Sequence, residues 1–448
     1  MIKEKSYYID TYGCQMNVHD SEKIAGILKE KGYKPADDIS QADIIIFNTC
    51  CIRETAEKKI FGSIGNTKKY KKVNKELIIA VVGCMAQQEG IQEKIQKSYG
   101  FVDIVLGSLN FHNLSDAIDS VLTKRKFFAQ IEKDAKPAIK EDMPIYRTSG
   151  VNAWVNITYG CDNFCSYCIV PYVRGRERSR SPQAVLDEIK RLLDEGYREI
   201  TLLGQNVNSY CNDMDNNWNF AKLLEEISKI NGKFRTRFMT SHPKDFNQEI
   251  VDIIKQSKNI CKSVHLPVQS GSNRILKLMN RKYTREHYLE LIDHINTIPK
   301  VGITTDIIVG FPTETKEDFE DTLSLVEEVR FSNAFTFVYS KRSGTKAAEM
   351  PQIDKLTKKK RIMELVALQN KITKEISQDY IGKIEEILVE DTNPKIKGVI
   401  CGRTDNGRLV NFYGDKKLIG EFVDIKITSA KSSALWGGIK CLNTSFRP

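Results

Sequence analysis

The sequence predicts an α/β chain of several domains. An N-terminal parallel α/β domain is expected first, then a central, partial TIM-like (β/α)6 barrel, and last a small antiparallel β-barrel. Three observations carry this. The chain has 448 residues, too many for one ordinary domain. Strand-like runs alternate with helical ones through most of it, and the alternation is interrupted once, at 124–149. The last 70 residues change to short β-like runs separated by Gly, Asn and Asp turns.

In the first part, "SYYID" (6–10), "DIIIF" (43–47), "LIIAVV" (77–82) and "VDIVL" (102–106) read as strands. Helical periodicity follows at about 20–31, 54–72, 88–97 and 110–122. The segment "KRKFFAQIEKDAKPAIKEDMPIYRTS" has charge, two prolines and no period, and is expected to be a linker. Central strands are expected at "AWVNI" (153–157), "EITLL" (199–203), "RTRFM" (235–239), "SVHLP" (263–267), "ITTDIIV" (303–309) and "AFTFV" (334–338). A basic amphipathic helix follows at about 355–380. The expected domains are therefore 1–123, a linker at 124–146, 147–378 and 379–445. Reactive groups in such a barrel line the C-terminal ends of the strands.

Composition narrows the function. Hydrophobic residues make up 41 % and charged residues 28 %, so the chain can build real cores. The longest apolar runs are strand-length, which excludes a membrane-spanning helix. "MIKEKSYYID" has no apolar signal region, and a cytoplasmic protein is expected. Net charge is 68 minus 58, or +10, and it is clustered: 66–75 has five lysines and no acid, and 355–374 has seven basic residues and one acid. A solvated helix face accounts for either run, and so does a polyanionic partner. Eleven cysteines in a reducing compartment point to ligands, catalytic groups or small buried residues rather than disulfides.

Their placement is the main clue. In "YGCDNFCSYC", Cys161, Cys165 and Cys168 have the spacing C-x3-C-x2-C just after the first central strand. Three thiolates do not close a tetrahedral zinc site unless a distant fourth ligand joins them. They do hold a 4Fe-4S cluster at three irons, leaving the fourth open to S-adenosylmethionine. An electron entering the sulfonium then yields a 5′-deoxyadenosyl radical. Cys14, Cys50 and Cys84 each follow a predicted N-terminal strand, on the sheet edge where ligands gather. This reads as a second three-cysteine cluster. Of the adjacent pair Cys50 and Cys51, only one is expected to ligate. Cys211, Cys261, Cys401 and Cys441 have no motif context and read as incidental. "DIIVGFPTET" (306–315) offers either a close backbone approach to a nucleoside or a simple turn.

With these residues in view, the chain resembles the radical S-adenosylmethionine methylthiotransferases over nearly its whole length. The resemblance rests on "YGCQMNVHDSE" (12–22), "NTCCIRETAEKK" (48–59), "GCMAQ" (83–87), "GCDNFCSYCIVPYVRGRERSR" (160–180), "LLGQNVNSY" (202–210), "TSHPKDF" (240–246), "HLPVQSGSNRILKLMNRKYTREHYL" (265–289) and "TDIIVGFPTETKEDF" (305–319). It implies two 4Fe-4S clusters, one on Cys161, Cys165 and Cys168 and one on Cys14, Cys50 and Cys84, with Cys50 rather than Cys51 as ligand. It implies two S-adenosylmethionine molecules per turnover, one as methyl donor and one as radical source. It implies a C-terminal TRAM domain. The "GCQMN" box resembles the branch that modifies carbon 2 of a prenylated adenosine beside the tRNA anticodon. The alternatives within the family are threonylcarbamoyl-adenosine of tRNA and a ribosomal-protein aspartate.

The expected partners are therefore tRNA, through its anticodon loop, and a cellular electron donor. The chain is expected to act as a monomer away from membranes. Gln205, Asp306 and Arg281 are expected cofactor-pocket residues from their motif setting. Lys395, Lys397, Arg403 and Arg408 are expected to meet phosphates or to be plain surface charges. Outside the family stand two readings: a two-cluster electron carrier or RNA-binding protein, which would not cleave S-adenosylmethionine, and a radical RNA methylase, which would not need the N-terminal cysteines.

Overall fold

The computed structural model describes residues 4–51, 54–132, 136–147, 150–215, 217–431 and 434–440. The N-terminal sheet contains β1 (Ser6–Thr11), β2 (Lys34–Pro35), β3 (Ile44–Thr49), β4 (Ile78–Gly83), β5 (Ile104–Gly107) and β6 (Phe128–Gln130), ordered β2-β1-β3-β4-β5-β6. Every pairing in it is parallel. The central strands "IIIFNT" and "IIAVVG" are buried at every position, because helices cover both faces of the sheet.

Two of the six strands were not expected. Lys34–Pro35 is too short to show a period, and its proline fits only an edge. Phe128–Gln130 falls in the segment expected to be linker, yet it pairs with Ile104–Leu106 as the other edge strand. The described residues 136–147 of that segment touch both domains. Met143 and Tyr146 pack against the N-terminal core, while the Arg180 Nε donates to Glu141 at 2.6 Å.

The central domain contains β7 (Asn152–Asn156), β8 (Glu199–Leu203), β9 (Arg235–Phe238), β10 (Ser263–His265), β11 (Gly302–Val309) and β12 (Asn333–Val338). They run parallel in chain order, as two three-stranded sheets joined by an isolated parallel bridge, Thr236 to Ile260. The barrel is open at β12. The helix Lys355–Gln378 packs there and buries Leu365 and Ile372 in the core. Its seven basic residues are not one solvated face: Arg361 is buried and donates to Glu314 at 2.6 Å, while Lys355, Lys359, Lys360, Lys371 and Lys374 are exposed.

The C-terminal domain is a closed barrel of β13 (Ile384–Thr392), β14 (Val399–Thr404), β15 (Leu409–Tyr413), β16 (Phe422–Ala430) and β17 (Leu435–Ile439), ordered β13-β14-β15-β17-β16. It is not wholly antiparallel as expected: β15 and β17 pair in parallel. The run "EFVDIKITSAKSSALWGGI" makes two strands, which brings the total to five. A closed ring with an odd number of strands must contain at least one parallel pair.

This barrel docks on the base of the central one. Arg237 pairs with Glu199 at 2.8 Å and donates to the carbonyls of Thr404 (2.8 Å) and Asp405 (3.0 Å). Asn406 donates to the Lys300 carbonyl at 2.8 Å. Removing Arg237 leaves the buried Glu199 carboxylate without its cation, a loss of roughly 3–5 kcal/mol. Arg237→Ala is therefore expected to lower the first thermal transition and to expose the junction near residue 379 to limited proteolysis.

The four residues expected to meet phosphates or to be plain surface charges differ in their surroundings. Arg403 is part-buried and pairs with Glu390, and Arg408 lies against the Tyr380 ring with its side chain part-buried. The Arg403 side chain still keeps 43 % of its surface in solvent, and Lys395 and Lys397 are exposed. Cys441, and residues 441–445 of the expected last domain, lie outside the described residues.

Candidate functional site

None of the ten described cysteines is in a disulfide. Cys50 and Cys84 directly follow β3 and β4, which pair in register up to Thr49 and Gly83. Their backbones therefore emerge side by side. Cys14 follows β1, the neighbour of β3 on its other side, and caps the helix Gln15–Glu30. The parallel sheet thus brings Cys14, Cys50 and Cys84 to one edge from three adjacent strands. Gly13 seals the group. Its φ is +118°, and a Cβ there would sit 2.9 Å from the Cys50 Sγ. Gly13→Ala is expected to unseat Cys50. Iron per reconstituted chain should then fall from about eight toward about four, read by colorimetric iron analysis.

The thiols in this group are unequal. The Cys51 thiol hydrogen bond, and then the Arg174 charge, hold Cys84 below the usual thiol value against the effect of burial. Cys51 is pushed well up by the same hydrogen bond and by burial, so it stays a thiol. It is enclosed with Ile60, Ile64 and Val81 in an apolar cluster.

The second group lies at the top of the central barrel. Cys161, Cys165 and Cys168 are part-exposed in the loop after β7. Gly160 has φ +76°, and a Cβ there would fall 2.1 Å from the Arg176 carbonyl oxygen, so the loop entry admits only glycine. Asn280 donates to the carbonyls of Asn163 (3.2 Å) and Phe164 (2.9 Å), and Asn163 donates to the Cys161 Sγ at 3.4 Å. Burial pushes Cys161 up to about 11 and Cys168 up to about 12. A bound cation reverses this and takes the thiolates.

Arg281 is buried here. It donates to the Cys165 Sγ at 3.4 Å and to the Pro267 carbonyl at 3.1 Å. Asp306 stands on β11 with its carboxylate 3.7 Å from His265. Gln205 is placed differently: its amide nitrogen meets the Met16 sulfur, at the junction with the N-terminal domain.

The barrel top carries buried polar atoms without a protein partner, on Asn156, Thr158, Gln205, Asn208, Ser241 and His242. These residues follow or end β7, β8 and β9. Such atoms cost free energy unless a ligand or water completes them. Burial, and then the Arg281 charge, push His242 down to about 2, so it is a neutral imidazole. Among the described residues no three Cys, His or carboxylate groups close on one point as a single metal ion requires. A tetrahedral ion needs all its sulfurs about 2.3 Å from one centre, whereas a cubane spreads its ligands over separate irons. The donor set and the orphaned polar atoms fit a cluster with a polar ligand beside it.

Arg174 joins the two groups and was not singled out by sequence, although it lies in the quoted run 160–180. Its Nε donates to the Cys84 Sγ at 3.1 Å, and its Nη2 to Asn17 (2.9 Å) and Asp20 (2.7 Å). Ser241 and His242 likewise sat in a quoted run, "TSHPKDF". Nothing in a single sequence separates a buried orphan from a surface polar residue.

Fold and cysteine pattern together define a three-domain protein of the radical S-adenosylmethionine class. Family models match at residues 155–326 (Radical SAM superfamily), 6–107 (uncharacterized protein family UPF0004) and 378–439 (TRAM domain). A tRNA-2-methylthio-N(6)-dimethylallyladenosine synthase of Thermoanaerobacter pseudethanolicus is 50 % identical over 437 residues, covering 97 % of this chain and 93 % of the relative. One of Clostridium botulinum (strain Langeland) is 52 % identical, covering 96 % of each. The chain belongs to the family of tRNA-2-methylthio-N(6)-dimethylallyladenosine synthases. Among solved structures, the radical S-adenosylmethionine methyltransferase TsrM of Kitasatospora setae, with cobalamin and a [4Fe-4S] cluster, aligns with TM-score 0.58 at 12 % identity, covering 91 % of this chain and 82 % of that one. The cobalamin-dependent radical enzyme OxsB aligns with TM-score 0.51 at 14 % identity, covering 83 % and 56 %. At such identities these two share the fold alone. Among the described residues no helix is long and apolar enough to cross a membrane.

Proposed function

We propose that this chain is a radical S-adenosylmethionine methylthiotransferase that places a methylthio group on carbon 2 of N6-dimethylallyl-adenosine beside the tRNA anticodon. The observation that supports it most is the two cysteine triads, one at aligned strand ends and one in a single loop, in a chain half identical along its length to synthases of that name. Cys161, Cys165 and Cys168 would hold the radical-generating cluster, and Cys14, Cys50 and Cys84 the auxiliary one. When bound, the clusters and S-adenosylmethionine supply the radical chemistry that an adenine C–H requires, since no acid–base group can activate it.

The chain's own residues do the rest. Asn156, Gln205, Ser241 and the neutral His242 offer buried polar atoms to a nucleoside cofactor. Asp306, on β11 in the other three-stranded sheet, offers a carboxylate to a ribose or amino group. Arg281 anchors the cysteine loop to the Pro267 carbonyl and keeps a fixed charge beside Cys165. The helix Lys355–Gln378 begins beside Gly310, just past the C-terminal end of β11. Its exposed Lys355, Lys359 and Lys360 therefore stand at the cysteine end of the barrel, where they would meet phosphates while a loop base enters. Lys395 and Lys397 stand exposed on the C-terminal barrel, where they would meet phosphates elsewhere on the same RNA. The one-electron supply comes from a cellular donor, and the protein acts as a monomer in the cytoplasm.

The substrate assignment is tested by offering the reconstituted enzyme three acceptors in parallel: prenylated tRNA, threonylcarbamoylated tRNA and ribosomes. Methylthiolation of the first alone is the expected result. Modification of either other acceptor in its place overturns the assignment while leaving the radical chemistry intact.

A further inference from the structure

The segment between the two cysteine groups belongs physically to the N-terminal domain. Ile169 and Val173 pack into the apolar cluster under β3 and β4, and the Ser108 hydroxyl donates to the Val173 carbonyl. Six residues after Cys168, Arg174 ends this segment with its side chain buried. Its guanidinium is forked. One arm reaches the Cys84 sulfur, and the other reaches Asn17 and Asp20, on the helix capped by Cys14. A single side chain from the radical core thus grips two of the three elements that carry the other cysteine triad.

We propose that Arg174 is a positioning residue for the auxiliary cluster: it raises that cluster's reduction potential through the Cys84 sulfur and fixes the cluster's place relative to the radical triad. This rests on the reading of Cys14, Cys50 and Cys84 as its ligands. Hydrogen bonds to ligand sulfurs and nearby positive charge favour the more negative, reduced state of an iron–sulfur cluster. A charge-assisted donor in a buried site is the strong form of that effect. Asp20 offsets part of the charge but does not reach the sulfur, so the donor bond persists. Lysine cannot reproduce the fork, because it is a point charge without two fixed arms.

The test uses the full chain with Cys161, Cys165 and Cys168 all changed to Ala, so that only the auxiliary cluster titrates. Its midpoint is read by electron paramagnetic resonance during a dye-mediated reductive titration. With Arg174→Gln added, the equilibrium for reduction is expected to fall about tenfold, or about 59 mV for one electron. Arg174→Lys is expected to load iron fully and to lie between the two. A midpoint unchanged in Arg174→Gln at full iron content overturns the proposal. If Arg174→Gln does not load, Arg174→Lys decides: a wild-type midpoint there reduces the residue to a counter-ion for Asp20 and also overturns it. A parent protein that binds no cluster at all would instead refute the ligand assignment.

Discussion

Cys165→Ala abolishes formation of 5′-deoxyadenosine, while reconstituted iron falls only from about eight to about four per chain. The two triads sit on different domains, and each is built by its own backbone. Cys161, Cys165 and Cys168 share one loop, braced by Asn280 and entered through Gly160. Cys14, Cys50 and Cys84 come from three strand ends that this loop does not form. Losing one thiolate from the loop therefore costs that cluster and spares the other. Anaerobic iron analysis and chromatography of the quenched reaction check both halves. Loss of all iron would mean that the triads assemble as one unit.

The second large effect separates the adjacent cysteines. Cys50→Ala is expected to remove the auxiliary cluster and stop methylthiolation, with cleavage of S-adenosylmethionine retained. Cys51→Ala is expected to keep both clusters. The register of β3 and β4 carries Cys50 beside Cys84, and Gly13 abuts the Cys50 sulfur from the β1 side. Cys51 lies one residue further on, in apolar surroundings, held as a thiol by its bond to Cys84. Iron content of the two variants, with methylthio-nucleoside yield beside it, distinguishes them. Full iron in Cys50→Ala with loss in Cys51→Ala would exchange the roles.

Much of this architecture was legible because long, apolar, periodic runs have few alternatives. "DIIIF" and "LIIAVV", alternating with helical stretches, read as buried strands of a parallel sheet, and residues just past such strands share an edge whatever the loops do. That is why Cys14, Cys50 and Cys84 could be grouped before any coordinates. Short elements carry no period, so the edge strands Lys34–Pro35 and Phe128–Gln130 were silent. The parallel pairing inside the C-terminal barrel depends on strand count, and one apolar run concealed two strands. Long-range charge pairing is equally silent. Arg174 looks like one basic residue among several until the N-terminal domain closes over it. Gln205, Asp306 and Arg281 illustrate the limit from the other side. Their motifs placed them near strand ends, but only the fold puts Arg281 on Cys165 and Gln205 on Met16.

The most direct measurement is mass spectrometry of nucleosides from prenylated tRNA, incubated anaerobically with the reconstituted protein, S-adenosylmethionine and a reductant. Cys14→Ala is run alongside. The account predicts the 2-methylthio nucleoside with the wild type, and 5′-deoxyadenosine without that nucleoside in the variant. Unmodified tRNA from a wild-type protein carrying both clusters would contradict it.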